Sequence, residues 1–590
     1  MKKTIKLLSI ASVAALTLTM GSCTDFLTIF PTDKVVLEDF WKDKADVNGM
    51  VMNCYKNLVS DAFVKRVFVY GELRSDDVIE TTNIGTDLKY INNANLLATN
   101  GYCDWSIYYK IINNCNIVLH FAPNVLEEDP DFTQGDYNVV RGEMLAMRAL
   151  CHFYLVRAFR DVPLLKEAKI DDSQDLHTAQ STPLEALDFI LEDLNEAEHL
   201  VLPSGAYPNE LYNKGRFTAD AVRAIRADVL LWKAAFTQFK NKSDGSDCKE
   251  FYAACIKDCE QIIADRKQYL IDWNKKYNVG KQQEAVGTDP ADALVASYPL
   301  ETHPINRATA SVHDETYVKI FADKNDRKES ILELQLDEDN NHNQAICAFY
   351  GYSETQTNMP FTASSYLGKE GTDDNVLYKK TDARRVSFTN QHGNEEDVFP
   401  IAKYTTRSTS VGGTNQDGRP EYFPSRDNGS YSWQNVILYR ITDVMLMEAE
   451  ARALRADSAS NDLNEAFKLV KAVYYRSNKV SKVSRNDSIK YSEGSAASLQ
   501  ELVLKERQRE LCFEGKRWFD LVRMALRDGT TNNMLNVMVP HKYETNQSAI
   551  KSKMASIDAL FFPIHETVLK TDTMLVQNPV WVKEDVYSKK

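Results

Sequence analysis

Through most of this chain apolar residues recur at steps of three and four. That spacing puts them on one face of an α-helix and denies them to a strand. Trp105, Tyr108, Ile112 and Cys115 share one such face. Residues 142–160 predict a second helix, with Leu145, Ala149 and Val156 in register. It should stop at Asp161-Val162-Pro163, because proline disfavours helix in the residue before it. Thr182-Pro183-Leu184-Glu185 opens a third: Thr182 can cap, Pro183 suits the first turn and Glu185 completes a capping box. Residues 219–236 carry Ala221, Ala224 and Ala227, small enough to let two helices approach closely, and 251–264 follow as another amphipathic helix. The pattern returns at 444–454, at 463–475 and in one long helix over 498–526.

Helix pairs in series predict a mainly α fold, a tetratricopeptide-like helix-pair superhelix, although the repeats keep no strict period. Between 271 and 433 the periodicity fades and Gly, Asn, Thr, Asp and Tyr rise. We read that stretch as a long irregular, loop-rich excursion, the place on a rigid scaffold where a binding site is expected. Within it 331–336 alternate as a short strand, and 408–419, with Gly412, Gly413 and Gly418, read as a loop. The expected division is therefore 1–22, a signal peptide; 23–36, a linker; 37–270, a helical region; 271–433, the variable excursion; and 434–590, a second helical region.

The first residues read as targeting sequence. Lys2, Lys3 and Lys6 precede an uncharged apolar stretch over 7–20. It is shorter than the roughly 20 apolar residues a membrane span needs, but it suits a secretory signal. It ends in Met20-Gly21-Ser22-Cys23, small residues before a cysteine that resemble a bacterial lipobox. This predicts cleavage before Cys23 and lipidation of its thiol. Each buried acyl CH₂ contributes about 0.8 kcal/mol, so several chains hold a protein to a membrane. Of ten cysteines, nine remain once Cys23 is set aside, an odd and scattered set with no disulfide framework. Cys151 and Cys512 fall in apolar helical patterns and read as core. Cys248, Cys255 and Cys259 lack the fourth ligand of a structural zinc. Asp337-Glu338-Asp339-Asn340-Asn341 hints at calcium, but His342 and Ala348 stand where such a loop wants Gly and Glu, so a solvated acidic turn is expected. No metal or cofactor is expected. The net charge of −14 argues against nucleic acid.

Glu506-Arg507-Gln508-Arg509-Glu510-Leu511-Cys512-Phe513-Glu514-Gly515-Lys516-Arg517-Trp518-Phe519-Asp520-Leu521-Val522-Arg523 closely resembles the C-terminal signature of the RagB/SusD family of nutrient-binding lipoproteins. Other blocks agree: Phe40-Trp41 with Tyr55, Gly71-Glu72-Leu73-Arg74-Ser75-Asp76-Asp77, Gly215-Arg216-Phe217-Thr218, Tyr439-Arg440-Ile441-Thr442-Asp443 and Phe562-Pro563-Ile564. Read as one helix, the signature would place Lys516 four residues from Asp520 and Phe513 four from Arg517. Glu510, Glu514 and Asp520, interleaved with Arg, Trp and Phe, read as packing groups and not as acid–base catalysts.

The resemblance implies a non-catalytic outer-membrane lipoprotein facing the cell exterior. It would hold an oligosaccharide, or a peptide in some relatives, over a SusC-like TonB-dependent transporter and pass it into the channel. Sugar capture needs aromatic rings under C–H faces and polar groups that read hydroxyls. Candidate rings are Tyr90, Tyr102, Trp105, Trp273, Tyr350, Tyr352, Tyr366, Tyr431 and Trp433, of which about two or three are expected to touch ligand. Polar candidates are Arg74, Asp76, Asn92 and Asn93. A glycan-degrading hydrolase is the rival from another class. The chain has no G-x-S-x-G, H-E-x-x-H or G-x-x-x-x-G-K motif, and paired carboxylates arise freely among 84 Asp and Glu.

Overall fold

The computed structural model describes residues 40–582 except 172, 278–289, 303–314, 322–325, 338–341, 351–358, 370–374, 380–381, 390–397, 408–421, 425–433, 457–460 and 479–488. Cys23, the signal segment and the 408–419 loop therefore lie outside the described residues.

Local capping sets several helix starts. In α1 (Lys44–Leu58) and α2 (Asp61–Gly71), Asp43 and Ser60 accept from first-turn backbone N–H groups. Helices α3 (Ser106–Glu128) and α4 (Gln134–Phe159) follow, with a capping box at Thr133 and Asp136. Helix α5 (Pro183–Leu200) opens on the expected box, Thr182 accepting from Glu185 N and Glu185 accepting from Thr182 N. Helices α6 (Ala219–Asn241) and α7 (Lys249–Lys276) complete the first half; α7 runs past the expected boundary at 270. In sequence order each of α3 to α7 packs on the next, and α1 packs on α3. The close approaches need small residues: Ala221, Ala224 and Ala227 are fully buried, and a Cβ on Gly142 would lie 2.8 Å from the Val201 side chain.

The chain then leaves the superhelix and returns. Helix α7 packs on α8 (Ile441–Arg455), and α8 packs on α9 (Asp462–Ser477) and α10 (Ala496–Leu511). The excursion between them holds short elements. Strand β2 (Ser330–Leu334), close to the alternation read at 331–336, pairs with β4 (Val436–Arg440) at its return. Strand β3 (Phe361–Ala363) pairs antiparallel with β1 (Val78–Glu80), Val78 opposite Ala363 and Glu80 opposite Phe361.

The helix predicted over 498–526 is two helices, α10 and α11 (Arg517–Asp528), broken at Cys512–Lys516. Apolar periodicity continues across the break, which is why sequence reading missed it. Phe513 and Gly515 take left-handed backbones, at φ 66° and 71°. The Glu72 carboxylate accepts from Phe513 N and Gly515 N at 2.9 Å each, replacing their helical partners. The end of α2 fills the notch, and a Cβ on Gly71 would fall 1.8 Å from the Gly515 carbonyl oxygen. The expected Lys516–Asp520 and Phe513–Arg517 pairings are thereby lost. Lys516 reaches Asp443 at 2.9 Å, and Arg517 clamps Asp76 with Nε–Oδ1 at 2.8 Å and Nη2–Oδ2 at 3.1 Å.

A buried ionic network staples the excursion to these helices. Arg384 reaches Glu506 at 2.7 Å and Glu510 at 3.0 Å. Arg440 reaches Glu510 at 2.8 Å and Glu514 at 2.7 Å, and Lys403 reaches Glu514 at 2.6 Å. Arg476 joins Glu329 to Glu510. Burial would raise the Glu510 carboxyl, but Arg476, Arg440 and Arg384 hold it well below the usual carboxylate range. Glu510, Glu514 and Asp520 are all buried and paired with cations. Among the described residues eight cysteines are free and buried, Cys151 and Cys512 with them. No helix among them is long and apolar enough to cross a membrane.

Candidate functional site

A polar cleft of about 690 Å³ opens where the β1–β3 ribbon meets the end of helix α12 (Asn532–Lys542). One wall is Glu80, at the end of β1, with Asn92 and Asn93 from the short helical segment Thr86–Asn92 and its cap. The rest of the lining includes Tyr366 and Lys369, which follow β3, and His541, Tyr543, Glu544 and Asn546, which follow Pro540 at the end of α12.

Lys542 anchors the floor. Its Nζ donates to the carbonyls of Leu73 at 2.9 Å, Ser75 at 2.8 Å and Val78 at 2.7 Å. Burial drags this ammonium down to about 7, against the opposing pull of Asp76 and Asp77. Tyr543 donates through its hydroxyl to Asn92 O, tying the chain after α12 to the Thr86–Asn92 segment. Tyr366 lies flat on His541, ring centroids 3.8 Å apart and planes 15° apart. The cleft thus offers a ring pair beside amides and carboxylates, which is the chemistry that reads a sugar: apolar C–H faces on one side, hydroxyls on the other.

The sequence candidates divide. Tyr366, Asn92 and Asn93 meet in this cleft. Tyr90 is 41% exposed on the Thr86–Asn92 segment but does not line the cleft. Tyr102 is half-buried beneath the Arg66 guanidinium, 5.7 Å from its ring. Trp273 sits in α7 beneath Arg327, 4.7 Å away. Tyr352, Tyr431 and Trp433 fall outside the described residues.

Four candidates are scaffold, and their assignment as ligand groups is corrected here. Trp105 is 4% exposed, edge-on to Phe159 at 5.1 Å. Tyr350 is 3% exposed among Phe68, Tyr404 and Phe513. Arg74 donates to Leu560 O at 2.6 Å and lies over Trp518, 4.1 Å from its ring. Asp76 is spent on Arg517. Tyr350, Arg74 and Asp76 are buried in the joint between the early segment and the C-terminal signature, and Trp105 in the helical core against Tyr109 and Phe159, so no ligand can reach them. Sequence reading missed Glu80, Lys369, His541, Tyr543, Glu544 and Asn546. Pro540, which forces a helix end, was the available signal for the last four.

A second hollow of about 420 Å³ is lined by apolar Met52, Leu58, Phe217, Leu332 and Leu334 together with Tyr55, Tyr212, Arg216, Glu333 and Gln335. Among the described residues no group of His, Cys, Asp and Glu could hold a metal ion, and 338–341 of the acidic turn lie outside them.

Comparison with known proteins places the fold. The family model described as "SusD family" matches residues 260–581, and one described as "Starch-binding associating with outer membrane" matches 34–231. The SusD-like protein P38 of Formosa agariphila is 24% identical over 544 residues, covering 88% of this chain and 90% of the relative. The SusD-like protein P2 of the same organism is 22% identical over 522 residues, covering 87% and 89%. A SusD superfamily protein of Bacteroides vulgatus superposes with a TM-score of 0.62 at 18% identity, covering 92% of this chain and 100% of that one. NanU of B. fragilis superposes at 0.59 with 18% identity, covering 94% and 100%.

Proposed function

The chain belongs to the SusD family, and from that premise we propose that it captures an oligosaccharide or polysaccharide in the cleft at Tyr366 and His541 and hands it to a SusC-like TonB-dependent outer-membrane transporter. Membership supports a glycan-binding surface protein of nutrient uptake. The observation that carries the assignment to this cleft is that the Tyr366–His541 ring pair lines the same polar opening as Glu80, Asn92 and Asn93. The handing-on is binding without bond cleavage: the acidic residues of the C-terminal signature are neutralised by buried cations and lie in the scaffold. Anchoring follows from the lipobox-like Met20-Gly21-Ser22-Cys23, with lipid on Cys23 holding the mature chain to the outer face of the outer membrane.

The test presents purified mature protein to a glycan array and, separately, to a peptide pool, with products analysed by mass spectrometry. The proposal expects glycan binding and intact glycan. Saturable binding of peptides alone would change the cargo, and cleaved glycan would restore the hydrolase.

A further inference from the structure

The donor and acceptor polarity of the cleft is fixed by one side chain. Asn92 Nδ2 and Asn93 Nδ2 both donate to Glu80 Oε2, at 2.8 Å each. A carboxylate only accepts, so the NH₂ end of each amide must face Glu80. The amide oxygens are thereby turned the other way. The orientation has a cost: Asn92 Oδ1 is buried without a donor among the described residues, and a buried polar group left unpaired is destabilising. Flipping the amide would relieve that orphan only by setting its oxygen against the carboxylate. Glu80 therefore overrides the local preference of Asn92.

We propose that Glu80 makes this wall of the cleft an acceptor surface, presenting Glu80 Oε1 and Asn93 Oδ1 to the ligand, and so selects neutral or amino sugars over chains bearing carboxylate or sulfate groups. A sugar hydroxyl or ammonium can donate to both atoms. A uronate or sulfate brings only acceptors to the same place and meets the Glu80 charge at close range. The lining as a whole is balanced in formal charge, Glu80 and Glu544 against Lys369 and Lys542, and Lys553 Nζ donates to Asn93 O at 3.2 Å, so the selection is local to the atoms Glu80 orients. Glu544 adds a second carboxylate, while Lys542, beneath the floor, spends its Nζ on three carbonyls. Lys369, which follows β3, also lines the cleft.

This inference rests on the capture reading and deepens it. The test is an array of glycans in matched pairs: hexose oligomers with the corresponding uronate oligomers, and sulfated chains before and after desulfation. Wild-type protein should bind the uncharged or amino member of each bound pair. Glu80→Gln, isosteric at a half-buried position, puts an N–H donor where Oε1 stood. It should shift the neutral-to-acidic ratio toward acidic chains by about tenfold or more. Asn93→Ala should weaken binding and keep the preference, so the inference stays open to refutation should Glu80→Gln misfold. Preference of the wild type for uronate or sulfated chains, or an unchanged ratio in Glu80→Gln, overturns this inference and leaves glycan capture standing. Binding of peptides and no glycan overturns both.

Discussion

Single side chains in this protein declare their roles through what they are paired with. His152 is buried in α4 with Nδ1 3.0 Å from Arg148 O, and burial, then Arg148, lowers it from 6.5 to about 3. The folded state holds it neutral, while the unfolded chain takes up a proton below pH 6.5. Its contribution is thus complete above 6.5 and is lost as pH falls toward 3, at up to about 1.4 kcal/mol per pH unit. His152→Gln should flatten that part of the stability–pH curve in urea titrations; an unchanged slope would mean the ring is not held neutral. At the cleft, Tyr366→Ala removes one ring of the pair and should weaken glycan binding roughly tenfold, measured calorimetrically; because Tyr366 is only 9% exposed, the substitution should also destabilise the fold by about 3 kcal/mol. Residue type alone could not separate these cases. Trp105, Tyr350 and Tyr366 are equally aromatic in sequence and all three are buried, at 4%, 3% and 9% exposure; what separates Tyr366 is that its remaining surface lines the cleft. Arg74 and Asp76 misled for a related reason: polar residues in an early loop read as ligand groups, yet their partners, Leu560 and Arg517, are hundreds of residues away.

Elements were legible where capping and periodicity act locally and illegible where distant chain decides. The box at Thr182 and Glu185 and the alanine stripe of α6 were readable because their partners lie within a few residues. The break between α10 and α11 was not, because it depends on Glu72 and Gly71 arriving from α2. Gly71→Ala should therefore cost about 3 kcal/mol, since backbone must shift on both sides of the contact. A wild-type urea midpoint would show that the joint is loose. The ionic network makes a parallel prediction. Arg384→Met leaves Asp382, Glu506 and Glu510 short of a buried cation and should destabilise by about 3–5 kcal/mol, also read from the urea midpoint. Its charged residues come from 329, 382–403, 440, 476 and 506–514, a set that no local sequence pattern could assemble.

At the scale of the molecule, the superhelix and the returning excursion divide the work. The helical array is rigid because each helix buries a face on its neighbour, and the network pins the excursion's base to it. That arrangement leaves the cleft at a junction of β1, β3 and the end of α12, three elements remote in sequence and fixed in space. The general architecture could be read from periodicity, whereas the cleft could not, because half of its residues are ordinary until the fold brings them together. The central claim is that glycan is held at the Tyr366–His541 pair. Native affinity electrophoresis through gels containing a panel of polysaccharides tests it most directly, comparing wild-type protein with a Tyr366→Ala, His541→Ala double variant. The account predicts that at least one polysaccharide retards the wild type and that the double variant runs as it does in a blank gel. Equal retardation of the two proteins, or no retardation of the wild type by any polysaccharide, would contradict it.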